Sequence, residues 1–325
     1  MVSAAVLTAK HLAATWLAAA GLAAAPAPQQ LHVLVIDATW GPTPISATEV
    51  HSAVLDAESF LQTASFGRVE FTDTETGWLS AYADDSVCRS RDDLVSQAER
   101  AAPVAGYDRV VVVTPCAIGS TGDPVTKTVL LGLPLSAGLI AHELGHTFGM
   151  THAGAWVCPQ QRQPCLRDPY GDPFDVMGSG LLPAGDPGAL QKAEAGWLTN
   201  YKLVKVPGTY TLAALEVPSK LPQALVVRIG VTDLWIDHRE AIGNDAYLKT
   251  SALGAVTRGV LIHEAPLESL QIPFDDRGPA VLLGNGGPRG LWITKGKTFT
   301  VPHELSITVV RHVGTTVTVR LRKLR

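Results

Sequence analysis

Charge is scarce in this chain. Asp, Glu, Lys and Arg make up 17% of its 325 residues against 46% hydrophobic ones, so it can bury real cores and lacks the composition of a disordered segment. A basic stripe is also missing. The 26 Lys and Arg stand against 30 Asp and Glu for a net charge of −4, which argues against a nucleic-acid partner, whose hold depends on clustered cations. No apolar run reaches the roughly 20 residues that cross a bilayer as a helix, so no transmembrane segment is expected. There are only 4 cysteines, and none has the CxxC spacing of a zinc knuckle or a redox pair. Internal repeats are absent, and low complexity is confined to an Ala-rich leader. A chain of this length is expected to form two domains rather than one core.

The leader comes first. Residues 12–25 are apolar, Lys10 and the terminal amine precede them, and Ala23, Ala25 and Ala27 follow, which is the layout of a secretory signal with a small-residue cleavage site. An amphipathic helix would need a polar face at a 3.6-residue period, and this stretch has none. Residues 1–27 are therefore read as a signal peptide and the protein as secreted. Cysteines suit that compartment, because disulfides persist where it is oxidising. Cys158 and Cys165, close together in a Pro-rich loop, are expected to pair, and Cys88 with Cys116. This is one of the three connectivities that four cysteines allow.

From residue 31 to about 197 strands and helices alternate. Residues 31–36 read as a strand. Ser46-Ala-Thr-Glu49 is a capping box, after which Val50, Val54, Phe60, Leu61 and Ala64 give one apolar face until Gly67. Residues 68–72 alternate like a strand, and Ser90 opens a second helix with Leu94, Val95, Ala98 and Ala102 inward. Val110–Val113 is a β-branched run suited to a strand buried on both faces. Residues 127–133 form a further strand before a helix from about Ser136. Asp186-Pro187 reads as a cap and first-turn proline for a helix that Gly196 ends. Beyond Trp197, short strand-like runs recur between Gly, Pro and Asp turns, at 208–212, 224–229, 234–239, 259–263, 305–310 and 315–321, the pattern of an antiparallel sandwich. The fold class is thus an α/β domain over residues 28–200, with a mixed twisted sheet, followed by an all-β antiparallel sandwich over 201–325.

The chemistry lies in His142-Glu143-Leu-Gly-His146-Thr-Phe-Gly149-Met-Thr-His152. On a helix His142 and His146 point the same way, so both imidazoles can grip one zinc ion while Glu143, one step round, reaches a water beside it. Gly149 can take positive φ, which lets the chain reverse and bring back His152 as the third ligand. A chance HExxH is expected roughly 0.01 times in a chain of this composition, so the pattern outweighs a reading as buried or surface histidines.

HExxHxxGxxH resembles the metzincin signature, and Asp175-Val-Met177-Gly178 looks like the methionine turn found beneath the metal in that superfamily. Tyr170 to Gly178, with Ala153 after the third histidine, is similar to the gametolysin family. The runs 233–240 and 259–263 resemble the β-domain that follows the catalytic domain in gametolysin-like and immune-inhibitor-A-like peptidases. The resemblance implies a zinc endopeptidase with His142, His146 and His152 on one zinc ion and Glu143 as general base. It also implies Met177 as the floor of the site and residues 127–133 as the sheet edge that pairs with an extended substrate. There are two departures. Metzincins commonly carry a prodomain, often with a cysteine over the zinc, whereas here no cysteine precedes Cys88 and the first strand follows the leader directly. Latency is then absent, supplied by another protein, or encoded upstream. Ser179 stands where astacins and serralysins place a tyrosine two residues after the turn methionine; Tyr170 is the nearby alternative, though it reads first as a packed or hydrogen-bonded loop residue.

Other features read more plainly. Asp172 and Asp175 read as caps of the turn rather than calcium ligands, and residues 275–278 and 285–287 as turns. His238 and His263 read as satisfied histidines on strands, and the basic tail from Arg311 to Arg325 as a solvated edge, with weak contact of this C-terminal domain to acidic cell-wall or matrix polymers as the alternative. The expected function is a secreted, monomeric zinc endopeptidase acting on extended polypeptide such as matrix or cell-wall protein. The competing classes are a secreted wall-binding module with a non-catalytic zinc and a zinc amidase acting on a wall amide. A fully liganded structural zinc needs four protein ligands, and the motif offers three.

Overall fold

A strand buried on both faces organises the first half of the chain. The computed structural model describes residues 28–157, 166–179, 181, 183–267, 270, 280–283 and 292–324. The leader, Cys158, Cys165 and the turns at 275–278 and 285–287 lie outside them. Strand β1 (Gln29–Thr39) is buried without a break from Val33 onwards. The Ser46 capping box forms as its residue types require and starts α1 (Ala47–Ala64), whose Val50, Val54, Ala57, Leu61 and Ala64 are buried. Gly67, at φ +69°, turns the chain into β2 (Val69–Ser80). This strand is longer than its alternation suggests, because it pairs in parallel with β1 from Gln29 to Thr39.

A 3₁₀ turn at Asp85–Arg89 leads to α2 (Arg91–Ala101), capped by the Ser90 hydroxyl, which accepts from the Asp93 amide at 3.1 Å. Then come β3 (Arg109–Thr114), β4 (Thr121–Gly122), β5 (Thr128–Gly132) and α3 (Ala137–Thr147). The sheet runs β2-β1-β3-β5-β4, parallel except for β4. Side-chain alternation divides the core. Val33, Val35, Val111, Val113, Val129 and Leu131 pack with α1 and α3, while Leu34, Ile36, Val110, Val112 and Leu130 pack with Leu94 and Ala98 of α2. Cys88 and Cys116 form a disulfide, as expected, joining the 3₁₀ turn to the end of β3.

Two expectations about this half change. Residues 127–133 are not an edge, since β5 lies between β3 and β4, and the edge is the two-residue β4, too short to show any period. The helix expected from Asp186 is α4 (Ala189–Glu194), with Gly188 as an N-cap that makes no side-chain bond. The Asp186 carboxylate is taken instead by buried Lys192, 2.5 Å away. This pair, with Asn244 Nδ2 donating to the other carboxylate oxygen at 3.1 Å, has displaced the cap.

The third histidine leads into β6 (Ala153–Val157), which pairs with β7 (Leu166–Asp168). After β8 (Tyr201–Leu203) follow β9 (Gly208–Ala213), β10 (Ala224–Ile229), β11 (Thr232–Asp237), β12 (Gly259–Pro266), β13 (Ala280–Leu282), β14 (Ile293–Thr294), β15 (Thr298–Val301), β16 (Leu305–Val313) and β17 (Thr316–Lys323). One sheet is antiparallel, β15-β16-β17-β9. The other runs β7-β6-β13-β12-β11-β10-β8, with β14 on β12. Leu212, Ile307, Val309, Val317 and Val319 of the first share an apolar cluster with Leu225, Leu234, Ile236, Val260 and Ile262 of the second. The larger sheet departs from the antiparallel expectation, because β8 and β6 both join it in parallel. An unpaired edge leaves amides and carbonyls unsatisfied, and β13 completes the edge of β6, the strand that leaves the histidines. Among the described residues no helix is long and apolar enough to cross a membrane.

Candidate metal centre

Helix α3 starts where the Ser136 hydroxyl accepts the Leu139 amide at 3.1 Å, and it is buried from Ile140 to Thr147. His142 and His146 stand one turn apart, ring centroids 4.8 Å from each other. The helix closes at Phe148. Gly149 takes φ +87°, and the Met150 amide reaches back to the Gly145 carbonyl at 3.2 Å. Glu194 of α4 holds the return, accepting from the Thr151 amide at 2.8 Å. His152 then faces its partners, 4.7 Å from His146 and 5.4 Å from His142 between ring centroids. One ligand atom from each of the three lies within 4.8 Å of the other two.

The donor set fits a metal. Nδ1 of His142 lies 2.8 Å from the Val176 carbonyl, and Nδ1 of His146 lies 2.8 Å from the Met150 carbonyl. A carbonyl only accepts, so in each ring Nδ1 carries the hydrogen and Nε2 the lone pair, the arrangement that orients a ligating histidine. Burial, with the neighbouring His146, pushes His142 down to about 3 even though the Val176 bond opposes it. Burial likewise lowers His146, and burial with His146 takes His152 to about 4. All three are thus neutral at physiological pH, as metal binding requires, and imidazole nitrogens suit zinc. Beside them Glu143 is pushed up to about 7 by burial, against the opposing pull of the Gly122 backbone and of Arg91.

These residues open on a cavity of about 460 Å³. Its walls include Arg91, the edge residues Thr121 and Gly122, and Tyr170. The Tyr170 ring lies 4.2 Å from that of His152 between centroids, and both Tyr170 and Ser179 are exposed.

The floor is built by two capping carboxylates. Asp172 Oδ1 accepts from the Phe174 amide at 2.8 Å, and Asp175 accepts from the amides of Met177 at 2.8 Å and Gly188 at 2.6 Å. The turn holds the Val176 carbonyl on His142 and buries Met177 completely. Its outer side is gripped from the larger sheet, where His263 Nε2 lies 2.7 Å from Asp172 Oδ2 and both side chains are buried. Burial opposes a charge on His263, but Asp172 outweighs it and raises the imidazole above its ordinary value.

Sequence spacing did not point to Gly122, Gly145, Arg91 or His263 as parts of this arrangement. Gly145 had a signal within the motif itself, a glycine in mid-helix, which is costly unless something packs there. A Cβ at Gly145 would stand 2.7 Å from Met177 Sδ and 3.4 Å from Met150 Sδ. With both methionines fully buried, Gly145→Ala is expected to destabilise by about 1–3 kcal/mol, the usual range for overpacking. Urea unfolding of the two proteins measures this, and an unchanged midpoint would show that the methionines have room to move.

No family model matches the chain, and no curated protein matches it. Among solved structures it is similar to archaemetzincin from Methanopyrus kandleri, at 18% identity over 53% of this chain and 97% of that one, with a TM-score of 0.29. It is also similar to OgpA from Akkermansia muciniphila, at 13% identity over 66% of this chain and 73% of that one. The TM-scores there are 0.29 and 0.28 in two crystal forms. Scores of this size establish no shared fold, and the functional reading rests on the site itself.

Proposed function

We propose that the chain is a zinc-dependent endopeptidase of the metzincin type, exported from the cell and acting on extended polypeptide as a monomer. The observation that carries this reading is the convergence of three neutral imidazoles on one point beside a buried carboxyl, at the wall of an open cavity. Residues 28–200 supply the catalytic domain in this reading, and 201–325 form a β-sandwich whose larger sheet braces the methionine turn. His142, His146 and His152 hold the zinc ion. When bound, it supplies a Lewis acid that polarises the scissile carbonyl and brings the pKa of water towards about 7.

Glu143 takes the proton from the attacking water and hands it to the leaving amine, so its buried carboxyl serves first as base and then as acid. Thr121 and Gly122 both line the cavity and form the sheet edge, so an extended peptide pairs with them through its own backbone. This mode of recognition favours matrix or cell-wall protein in unfolded form over compact targets. In this reading Tyr170, its ring tilted against that of His152, donates to the oxygen that becomes negative.

The test is hydrolysis of gelatin by the full chain before and after a chelator. Chelation is expected to abolish cleavage, and added zinc to restore it. Cleavage that survives complete removal of zinc would sink the proposal.

A further inference from the structure

A second convergence of ligand side chains lies at the end of β11, and none of its residues lines the cavity at His142. Strand-like alternation continues past Asp237. Asp237 and Arg239 meet on one side, 3.7 Å apart, and His238 and Glu240 meet on the other at 3.1 Å. His312 arrives from β16 of the four-stranded sheet, its Nε2 2.8 Å from the same Glu240 Oε1. Ligand atoms of the three side chains all lie within 4.8 Å of one another.

The chemistry of this cluster is incomplete as it stands. His238 Nδ1 lies 2.8 Å from the Gly259 carbonyl, which can only accept, so Nδ1 carries a hydrogen. A neutral His238 then turns the lone pair of Nε2 towards a carboxylate oxygen 3.1 Å away. Two acceptors at that distance repel unless a positive charge lies between them. That charge is either a second proton, which makes an imidazolium of a side chain with no exposure, or a cation. The Glu240 backbone is held in place, its amide donating to Glu216 Oε2 at 3.0 Å.

We propose that His238, Glu240 and His312 form a second metal site, binding a divalent transition-metal ion of the zinc class through two imidazole nitrogens and one carboxylate oxygen. Two histidines and a glutamate are a donor set that zinc accepts, with one position left for water. Glu240 and His312 are half-buried, with side chains 17% and 24% exposed, so that position faces solvent. The ion joins β16 of one sheet to the end of β11 in the other. Its role is to lock the two sheets together, separately from the hydrolytic site.

Metal counting on the full chain decides the matter, with wild type, His312→Ala, Glu240→Gln and His146→Ala each stripped, equilibrated with zinc and freed of excess. The wild type is expected to hold one equivalent more than His312→Ala or Glu240→Gln, and zinc is expected to raise the melting temperature of His146→Ala. Glu240→Gln keeps the side-chain size and supplies the same reading if His312→Ala folds poorly. Equal zinc in wild type and both variants would overturn the proposal and leave a protonated His238 as the occupant. If His146→Ala keeps an equivalent that His312→Ala loses, while wild type holds only that one, the second site stands and the hydrolytic reading fails.

Discussion

Glu143→Gln is expected to lower kcat/KM for gelatin or unfolded casein by about 10²–10⁴, the range general acid–base groups supply, with bound zinc unchanged. The amide keeps the size of the side chain and cannot accept a proton from water. The same substitution has a consequence for stability that separates a catalytic from a structural role. Burial pushes the carboxyl from 4.5 to about 7, so in the metal-free protein its ionised form is disfavoured by folding. The variant should therefore be more stable than the wild type above pH 7, the difference shrinking as pH falls from 7 to 4.5 and vanishing below that, where the carboxyl is neutral in both the folded and unfolded wild type. Activity has the opposite sign. It needs the carboxylate and falls with falling pH, and a cation beside Glu143 places that acid limb below about pH 7. Hydrolysis rates and urea midpoints between pH 4 and 9 check both halves. A variant that still cleaves at the wild-type rate would remove Glu143 from the mechanism.

Arg239→Met is expected to cost about 3–5 kcal/mol, the loss usual when one partner of a buried ionic cluster is removed. The guanidinium has no exposure. It donates to the Asp186 carbonyl at 2.6 Å and to Asp245 at 2.9 Å, and lies 3.7 Å from Asp237. Burial works against its charge, but Asp245, Asp237, Glu216 and Asp175 outweigh it and raise its pKa further. Asp175 shows how narrow the compensation is. Burial and Asp172 already push its carboxyl up to about 7 with the arginine in place. Without Arg239 these carboxyls must take up protons or stay charged in a dry setting. Since Asp175 holds the Met177 amide, the damage should spread to the turn that orients His142. Urea unfolding at pH 7 measures the loss, and acidification should return part of it as the carboxyls protonate. A loss under about 1 kcal/mol would mean that the cluster is neutral in the wild type.

Both predictions concern carboxyls made unusual by burial, and only one of the two was visible in advance. Glu143 is marked by its neighbours in sequence. Arg239 sits in a run of charged residues just past β11 that any surface could carry, and nothing local announces that it is buried among Asp237 and acids from three other segments. The distinction holds across the molecule. The Ser46 capping box, the Ser90 and Ser136 caps, the β-branched run of β3 and the helical spacing of His142 and His146 are all interactions within about one helical turn, so the order of residue types states them directly. The reversal at Gly149 belongs with them, because backbone freedom is a property of the residue itself.

The sequence by itself therefore determined the local half of the candidate site: three imidazoles and a carboxyl on and just after one helix, with a methionine turn further on. Tertiary structure alone decided the rest. It made two-residue β4 the edge rather than residues 127–133, bonded the Asp186 carboxylate to Asn244 instead of a helix start, and set β13 beside β6 across the two halves of the chain. It joined His263 to Asp172 across 91 residues and brought His312 to Glu240 across 72. Such contacts depend on where the chain returns after many turns, and that is settled by the total burial and pairing of the fold rather than by any spacing a window of sequence can show.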